Sequence, residues 1–443
     1  MVVKMKNKKN NSQDEEIISS LVDTCISFSK EADDILNYYL LSIDAVRHNY
    51  EKKKNDYADS FKIMDLFNSV YDCKTEDEKA FKLEEISNEQ ITNKYILSDI
   101  LDIEFKNDTI SFGFKKIEFS KYDPTKARSI EKETDHMFVA AKTSMLSNAI
   151  ITFEKFLASF YRDLIYLNPC LYFDSKTVCM QELFTKNFNE LIYDKIDELI
   201  EADMYDSFEL LKKIFEKENI NTEKVNAILA DFKEAYYRRN LYVHNDGYVN
   251  STYLSKIKDS KYKIGDYLSC GEEYFRTLTT NIKCLIFFIT HSILAKVGYN
   301  DKNLEPLESF YFSELKEKNY QLTKYVYHLL STHRSFEFAL RMIFEVNYLI
   351  SLKAIDEAEF KKEFSSFDVS AADYSFKIAK YVLEGKFKEA HSLIEEHYNS
   401  SDTPKQLIDW PLYNEFRTTT YYKRIVNNHK SDFNDLKEVD DFF

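Results

Sequence analysis

The chain has 443 residues with a hydrophobic content of 44%, enough to fill the cores of two or three folded domains. Its formal net charge of −15 argues against a protein that coats nucleic acid with its whole surface, because generic phosphate binding requires a basic face. Six glycines and five prolines are too few for a turn-rich sheet protein, so the composition predicts a mainly α fold.

The sequence carries no pattern typical of secretion or of a membrane span. The basic N-terminus "MVVKMKNKKNN" is followed by "SQDEE" instead of an apolar core, which excludes a secretory signal peptide. The longest apolar run, residues 284–289, is well short of the roughly 18 residues that cross a bilayer. We therefore expect a soluble, cytoplasmic protein with no membrane contact.

The cysteines predict neither disulfides nor a metal centre. All six are at least four positions apart, and none has a histidine at metal-ligand spacing: Cys25, Cys73, Cys170, Cys179, Cys270 and Cys284. We expect reduced thiols packed as small apolar groups, with no structural zinc and no cofactor.

The first predicted domain covers residues 1–136 and is helical at its start. Apolar residues at helical spacing predict a helix over 13–50, and a second, charged helical segment follows to about residue 75. In "DIEFKNDTISFGFKKIEF" apolar and polar residues mostly alternate, which predicts a β-hairpin within 101–120, with the possibility of a third strand. The polar, proline-bearing stretch 120–135 is predicted to be a linker.

The second predicted domain, residues 137–300, is a helical bundle. Its opening segment "SNAIITFEKFLASFYRDLIYLNP" has apolar residues at helical spacing and ends at Pro169. Gly298 is expected to end the last helix. Four further helices are predicted, at about 180–201, 204–218, 223–244 and 271–297.

The third predicted domain, residues 301–443, is helical up to its acidic end. The stretch "AKYVLEGKFKEAHSLIEEH" has a glycine turn between two amphipathic helices and resembles the helix-turn-helix unit of tetratricopeptide-like repeats. No second copy occurs at a fixed period, whereas an array needs several. We therefore predict an isolated helical hairpin.

The helix predicted over 223–244 carries an unusual set of polar residues at its end. At about 100° per residue, Arg239 falls inside the apolar stripe, whereas Arg238 points to the other side as a solvated or phosphate-steering residue. An arginine on a packing face requires an anion or a hydrogen-bonding network. The stripe that defines this face consists of Val225, Ile228, Leu229, Phe232, Ala235, Tyr236 and Val243.

Asn240 and His244 lie four positions apart, hence side by side on the same helix. His244 also lies in the last turn, where the helix dipole favours its charged form and Gly247 supplies a left-handed residue that ends the helix. A histidine that titrates near neutrality beside an arginine and an amide suits phosphoryl chemistry without a metal. The alternative is ordinary, since many helix-terminal histidines are caps or surface residues.

The run "RRNLYVHNDGYVNSTYL" resembles the signature of HEPN domains, helical bundles in which an arginine and a polar residue precede a histidine. Arg239, Asn240 and His244 match that pattern with four residues between arginine and histidine. The earlier segment "SNAIITFEKFLASFYRDLI" resembles the opening helix of such domains. The resemblance covers about residues 138–300, roughly a third of the chain.

The resemblance implies a metal-independent endoribonuclease of defence or toxin systems. In that family two copies pair so that both arginines and histidines line one cleft, and the ribose 2′-hydroxyl attacks the adjacent phosphate. His244 would then transfer protons, Arg239 would stabilise the phosphate and Asn240 would orient the substrate. Pairing also suits the helix geometry, because Arg239 and His244 are about 140° apart on one ideal helix.

The residues around the motif include one departure from the family and further candidate site residues. Systems in which such a toxin is silenced by a nucleotidyltransferase often have a tyrosine two positions after the histidine, where this chain has Asp246, so that pairing is not expected. The basic stretch that contains Lys256 and Lys258, together with Lys261 and Lys263, is expected either to guide an RNA backbone or to be a solvated loop. His291, beside "CLIFFI", is predicted to be a core or interface histidine.

Three functions from different classes fit these observations. The first is a homodimeric HEPN ribonuclease that cleaves RNA, with tRNA among its substrates, in antiphage defence or growth arrest; its flanking domains would answer to a regulatory partner or phage trigger. The alternative is a non-catalytic HEPN-like dimerisation module that binds RNA, a nucleotide or a protein. The third is an adaptor built on the C-terminal helices, which repeated hairpins there would favour.

Overall fold

The computed structural model describes residues 11–58, 60–61, 64–65, 101–106, 109–114, 124–173, 187–205, 207–258, 261–299 and 301–433. Within these ranges the chain is mainly helical, which confirms the mainly α character predicted from composition. The elements up to the candidate site are helix α1 (Asn11–Asp56), strands β1 (Leu101–Lys106) and β2 (Thr109–Phe114), and helices α2 (Pro124–Leu167), α3 (Pro169–Tyr172), α4 (Phe188–Asp203), α5 (Ser207–Lys217) and α6 (Asn226–Asn245). Beyond it lie helices α7 (Ser251–Lys256), α8 (Glu272–Val297), α9 (Asp301–Lys316), α10 (Tyr320–Ser331), α11 (Phe338–Ile355), α12 (Glu357–Ser366), α13 (Tyr374–Glu384), α14 (Phe387–Glu396), α15 (Thr403–Asp409) and α16 (Thr420–Asn428).

The two strands pair antiparallel over their full length. Leu101 lies opposite Phe114 and Lys106 lies opposite Thr109. The third strand predicted after β2 lies outside the described residues. Of the charged helical segment predicted to about residue 75, only residues up to 65 lie within the described part.

Helix α2 overturns the predicted linker, because it begins at Pro124 and continues without a break to Leu167. A proline fits the first turn of a helix, where its missing N–H costs no hydrogen bond. The buried side chains of Ala127 and Ile130 pack with Phe61 and Met64. This narrow apolar stripe sits inside a segment that is polar in composition, which is why composition alone predicted a linker.

The chain folds into two compact units that interleave along the sequence. The first combines Met1–Asp34, Ala149–Tyr237 and Glu273–Phe443, and the second combines Ile35–Asn148 and Arg238–Glu272. The predicted boundary after residue 136 falls inside helix α2. The three consecutive domains predicted from sequence therefore differ from the compact units.

The first unit has an aromatic core and contains a long apolar helix that is mostly buried. The rings of Phe153 and Phe232 lie 4.5 Å apart between centroids, and Phe153 also contacts Phe156. Helix α8 is long and apolar enough to cross a membrane, and 78% of its most apolar window is buried inside the protein. Core helices of soluble proteins share this length and composition.

Several consecutive C-terminal helices pack against each other. Helices α13 and α14 form the predicted hairpin, with Gly385 in the left-handed conformation between them (φ 79°). Helix α11 packs against both α10 and α12, so contacts between consecutive helices recur in this region. Consecutive helices can pack against each other without sharing a residue pattern, so these contacts do not require a sequence repeat.

Candidate functional site

The two arginines of helix α6 face opposite to the prediction. Arg238 is buried, 7% exposed, on the same face as Leu241 and Tyr242, and its Nη1 donates a hydrogen bond to the Ser269 carbonyl at 2.7 Å. Arg239 is only half-buried. The predicted orientation is wrong, and Arg238 is held inside the unit instead of facing solvent as a phosphate-steering residue.

The reason lies in the segment that returns over the end of α6. The hydroxyl of buried Tyr242 donates to the Leu268 carbonyl at 2.6 Å and accepts from the Cys270 N–H at 3.1 Å. This anchoring turns Leu241 and Tyr242 inward, whereas Val243, which was assigned to the packing stripe, is 46% exposed. The partners lie 26 and 28 positions away, so helical periodicity alone did not reveal them.

The end of α6 is set by two left-handed residues, Asp246 (φ 48°) and Gly247 (φ 82°). The Gly247 N–H donates to the Leu241 carbonyl at 3.2 Å, which closes the last turn as predicted. A side chain at this position would also meet the Tyr267 ring at 2.9 Å. Both conformation and space therefore require glycine here.

A short antiparallel pairing fixes the chain just after the turn. The Leu268 N–H donates to the Gly247 carbonyl at 3.0 Å, and the Val249 N–H donates to the Asp266 carbonyl at 2.8 Å. Tyr248 and Tyr267 form a β-bridge between these bonds. The helix end and the returning segment are consequently held as one piece.

The three residues predicted to be catalytic lie on a side of this helix end that is less buried than the side of Arg238 and Leu241, although the Nε of Arg239 is itself buried. Arg239 and Asn240 are half-buried, and His244 is exposed. The helix places Arg239 and His244 about 140° apart, with Val243 in the arc between them. In one chain Arg239 and His244 therefore lie on either side of the exposed Val243 and do not point towards a common site.

The predicted RNA-guiding lysines lie on the segment after the turn. Lys256 ends helix α7 and Lys258 follows it, and both are exposed. Further along, the Lys261 ammonium lies 5.5 Å from the centre of the Tyr262 ring. Exposure suits either a phosphate contact or a solvated loop, so guidance of RNA stays a prediction.

A cleft of about 920 Å³ opens in the second unit beside the turn. The rings of Tyr248 and Tyr267, 5.4 Å apart and 49% and 40% exposed, line it together with Asp246. Sequence reasoning missed this cleft because its walls come from distant segments. Its other charged or titratable lining residues are Tyr39, Asp44, Arg47, Asp135, His136, Lys142 and Glu272.

His291 is a core histidine of the first unit, as predicted. It is 8% exposed, its ring stacks on Phe287 at 5.4 Å, and its Nδ1 is hydrogen-bonded to the Tyr299 hydroxyl. Burial, with a smaller contribution from His333, lowers the pKa of His291 to about 3. The imidazole is accordingly neutral at physiological pH.

The cysteines of the described residues are free thiols, and three of these four are packed in the interior as predicted, whereas Cys170 is not. Cys25, Cys270 and Cys284 are buried and Cys170 is exposed. Burial raises the pKa of Cys25 to about 11 and that of Cys284 to about 12, so both are protonated. The described part of the chain brings no three His, Cys, Asp or Glu side chains together as metal ligands. Cys73 and Cys179 lie outside the described residues.

Comparison of the chain with protein-family models gives no match. Curated proteins and solved structures likewise give none. The functional interpretation therefore depends on the residues themselves and on the likeness of their motif to the HEPN signature.

Proposed function

We propose that the protein is a metal-independent endoribonuclease of the HEPN type, active as a homodimer in antiphage defence or growth arrest. The observation that supports this proposal is the end of helix α6. One face is anchored through Arg238 and Tyr242, while Arg239, Asn240 and His244 occupy a less buried side, on which His244 is exposed. A rigid element that presents the signature residues is what a preorganised phosphodiester site needs.

The reaction assigned to this site is an internal transfer at phosphorus. The ribose 2′-oxygen forms a bond to the adjacent phosphorus, the bond to the 5′-oxygen breaks, and a 2′,3′-cyclic phosphate and a 5′-hydroxyl result. A dimer supplies two copies of His244, so one imidazole takes the 2′ proton while the other protonates the leaving oxygen. Arg239 stabilises the charge on the non-bridging oxygens and Asn240 orients the substrate.

Dimerisation is a requirement of this assignment. Arg239 and His244 flank the exposed Val243 on one helix. A second copy packed along this side covers the valine and brings the arginine of each chain towards the histidine of the other. In this proposal the HEPN-like stretch, residues 137–300, contributes segments to both compact units, and the segments on either side of it, including the β1–β2 hairpin, restrain the nuclease or respond to a partner or phage trigger.

The surroundings of the motif supply contacts for single-stranded RNA. The exposed Lys256 and Lys258 suit the backbone. The tyrosine-lined cleft, whose carboxylates outnumber its permanent cations, suits a base better than a phosphate. We therefore assign the cut to the helix end and a neighbouring base to the cleft.

The decisive experiment is cleavage of total RNA and of tRNA by the purified protein in EDTA, with fragment ends mapped by sequencing and phosphatase sensitivity. Wild type should leave cyclic-phosphate ends, and His244→Ala should be inactive. The matched control is His48→Ala, which removes another exposed histidine from the second unit and should cleave like wild type.

Three outcomes contradict the proposal in different ways. A strict need for magnesium removes the mechanism, and equal cleavage by wild type and His244→Ala assigns the activity to a contaminant. A folded dimer that binds RNA without cutting it, and is not toxic in cells, supports the non-catalytic module instead. Toxicity of wild type but not of His244→Ala indicates a nuclease whose activator is missing in vitro.

A further inference from the structure

A second cleft lies among the C-terminal helices of the first unit and has a volume of about 780 Å³. It is bordered by helices α9, α11 and α15 and by the start of α13. Sites for small molecules in proteins have volumes of about 300–1,000 Å³ and are mostly apolar. The apolar lining of this cleft consists of Phe312, Ala339, Ile343, Phe376 and Trp410.

The rim of the cleft is acidic. Four carboxylates line it, those of Glu305, Glu308, Asp373 and Asp409, against the single ammonium of Lys405. Asp373 also caps helix α13 by accepting a hydrogen bond from the Ser375 N–H at 3.1 Å. The charge of the rim therefore complements a cation.

Glu308 is the carboxylate most affected by its position. It is half-buried, and burial followed by repulsion from Glu305 raises its pKa. A charge in such a place is costly without a counterion, so a bound cation relieves a cost that the protein bears alone.

Trp410 gives the cleft a fixed aromatic wall. Its indole N–H donates to the Oδ1 of buried Asn347 at 2.8 Å, and Arg417 donates to its backbone carbonyl at 2.8 Å. The ring also contacts Tyr413 edge to face. Indole is the best of the aromatic side chains at attracting a cation to its face.

We infer that this cleft binds a small organic cation, an ammonium or guanidinium group carried on an apolar body. The apolar body fills the space beside Phe376 and Trp410, and the charged group meets Glu308 and Asp409 at the rim. This cleft is separate from the proposed ribonuclease site, because its residues and their partners lie between positions 305 and 417.

The chain reports directly on this cleft, since Trp410 is its single tryptophan. We would titrate the full-length protein with phenylbutylammonium and follow tryptophan fluorescence, with calorimetry as a second measure. The neutral phenylbutanol and the anionic phenylbutyrate serve as probes of the same shape. Saturable binding of the ammonium, about tenfold tighter than binding of the alcohol and tighter still than that of the acid, is expected.

Three variants test the assigned contacts. Glu308→Gln should weaken binding of the ammonium about tenfold, and Lys405→Gln should strengthen it. Glu396→Gln removes an exposed carboxylate of the same unit outside the cleft and should change nothing. Circular dichroism verifies that each variant is folded.

Several results would overturn the inference. Equal affinity for the ammonium and the alcohol would mean an apolar cavity without charge recognition. An absent response to the ammonium, or a response only to a lysine- and leucine-rich peptide, would exclude a small cation as the ligand. Identical behaviour of Glu308→Gln and Glu396→Gln would remove the rim from the site.

Discussion

The adjacent residues Arg238 and Arg239 of helix α6 have different surroundings. We therefore expect the first to matter for stability and the second for RNA cleavage. Arg238 is buried against the Ser269 carbonyl, whereas Arg239 is half-buried on the side of Asn240 and His244. A buried guanidinium that loses its place leaves a carbonyl without its donor and a cavity. Loss of the Arg239 side chain should mainly affect what binds on the side of Asn240 and His244.

We expect Arg238→Ala to lower the free energy of unfolding by about 2–4 kcal/mol, which urea denaturation measures. Arg239→Ala should cost less stability but abolish RNA cleavage while leaving the dimer folded. If the two variants show the same unfolding midpoint and the same cleavage rate, the different burial of the two arginines has no functional meaning.

A second residue-scale prediction concerns pH and His291, whose pKa in the fold is about 3 against an ordinary value of 6.5. Between these values the unfolded chain binds the proton that the folded chain excludes, so His291 reduces stability as pH falls through 6.5. This contribution amounts to about 2 kcal/mol between about pH 7 and pH 5.

The check is urea unfolding of wild type and His291→Gln at several pH values. The variant should lose less stability than wild type on acidification, by about that 2 kcal/mol. Burial also lowers the pKa of His328 and His333. These two histidines are present in wild type and in His291→Gln alike, so they contribute to the pH dependence of both proteins. Parallel curves for the two proteins would show that His291 does not resist protonation.

How much of the residue-scale description the sequence predicts depends on the range of the interactions. Gly247 was predictable, because a helix stop followed by a left-handed glycine is a local pattern. The apolar surroundings of His291 were visible in "CLIFFI". The orientation of Arg238 was not predictable, because Ser269, its carbonyl partner, lies 31 positions away.

At the scale of elements, helix α8 carries a lysine inside an otherwise apolar face. Lys283 is 4% exposed at its side chain and lies 2.8 Å from carboxylate oxygens of both Asp33 and Glu314. Glu314 is equally buried and also accepts a hydrogen bond from Asn319. Helices α1, α8 and α9 are thus joined by one ion-pair network in the first unit.

Removal of the lysine should leave a buried carboxylate without its countercharge. We expect Lys283→Met to lower the free energy of unfolding by about 3–5 kcal/mol. Lys296→Met, on the same helix, breaks the more exposed pair with Glu218 and should cost less than about 1 kcal/mol. Similar losses from both substitutions, measured by urea denaturation, would contradict the role of the network.

Elements followed from the sequence where their apolar pattern was strong. Helix α6, helix α8 and the hairpin of α13 and α14 were predicted from their apolar periodicity, whereas the short helix α7 was not. The start of α2 was missed, because Ala127 and Ile130 supply only a narrow stripe among charged residues. Such a stripe becomes recognisable only when Phe61 and Met64 are known to lie against it.

At the scale of the whole molecule, the proposed site needs two chains. Arg239→Ala and His244→Ala homodimers should both be inactive, because each lacks one of the two functions twice. The reaction uses both histidines of the dimer, so mixed dimers of His244→Ala with wild type, formed after dissociation, should also be inactive. Full cleavage per wild-type chain in verified mixed dimers would show that each chain acts alone.

The organisation of the whole chain was the part least accessible to sequence reasoning. Composition gives the helical class, but the interleaved units combine segments hundreds of residues apart. Periodicity reports which face of an element is apolar and says nothing about which distant segment covers that face. Domain boundaries placed at apparent linkers therefore differed from the compact units.

The pairing of Asp33 with Lys283 spans 250 positions of the chain. Lys283 is therefore synthesised long after Asp33, and until then the N-terminal segments of the first unit lack the contacts that complete it. Premature termination or proteolytic loss of the C-terminal half should yield fragments that aggregate and are degraded. For a chain proposed to be toxic, harm would then require synthesis past Lys283, and shorter products would be harmless.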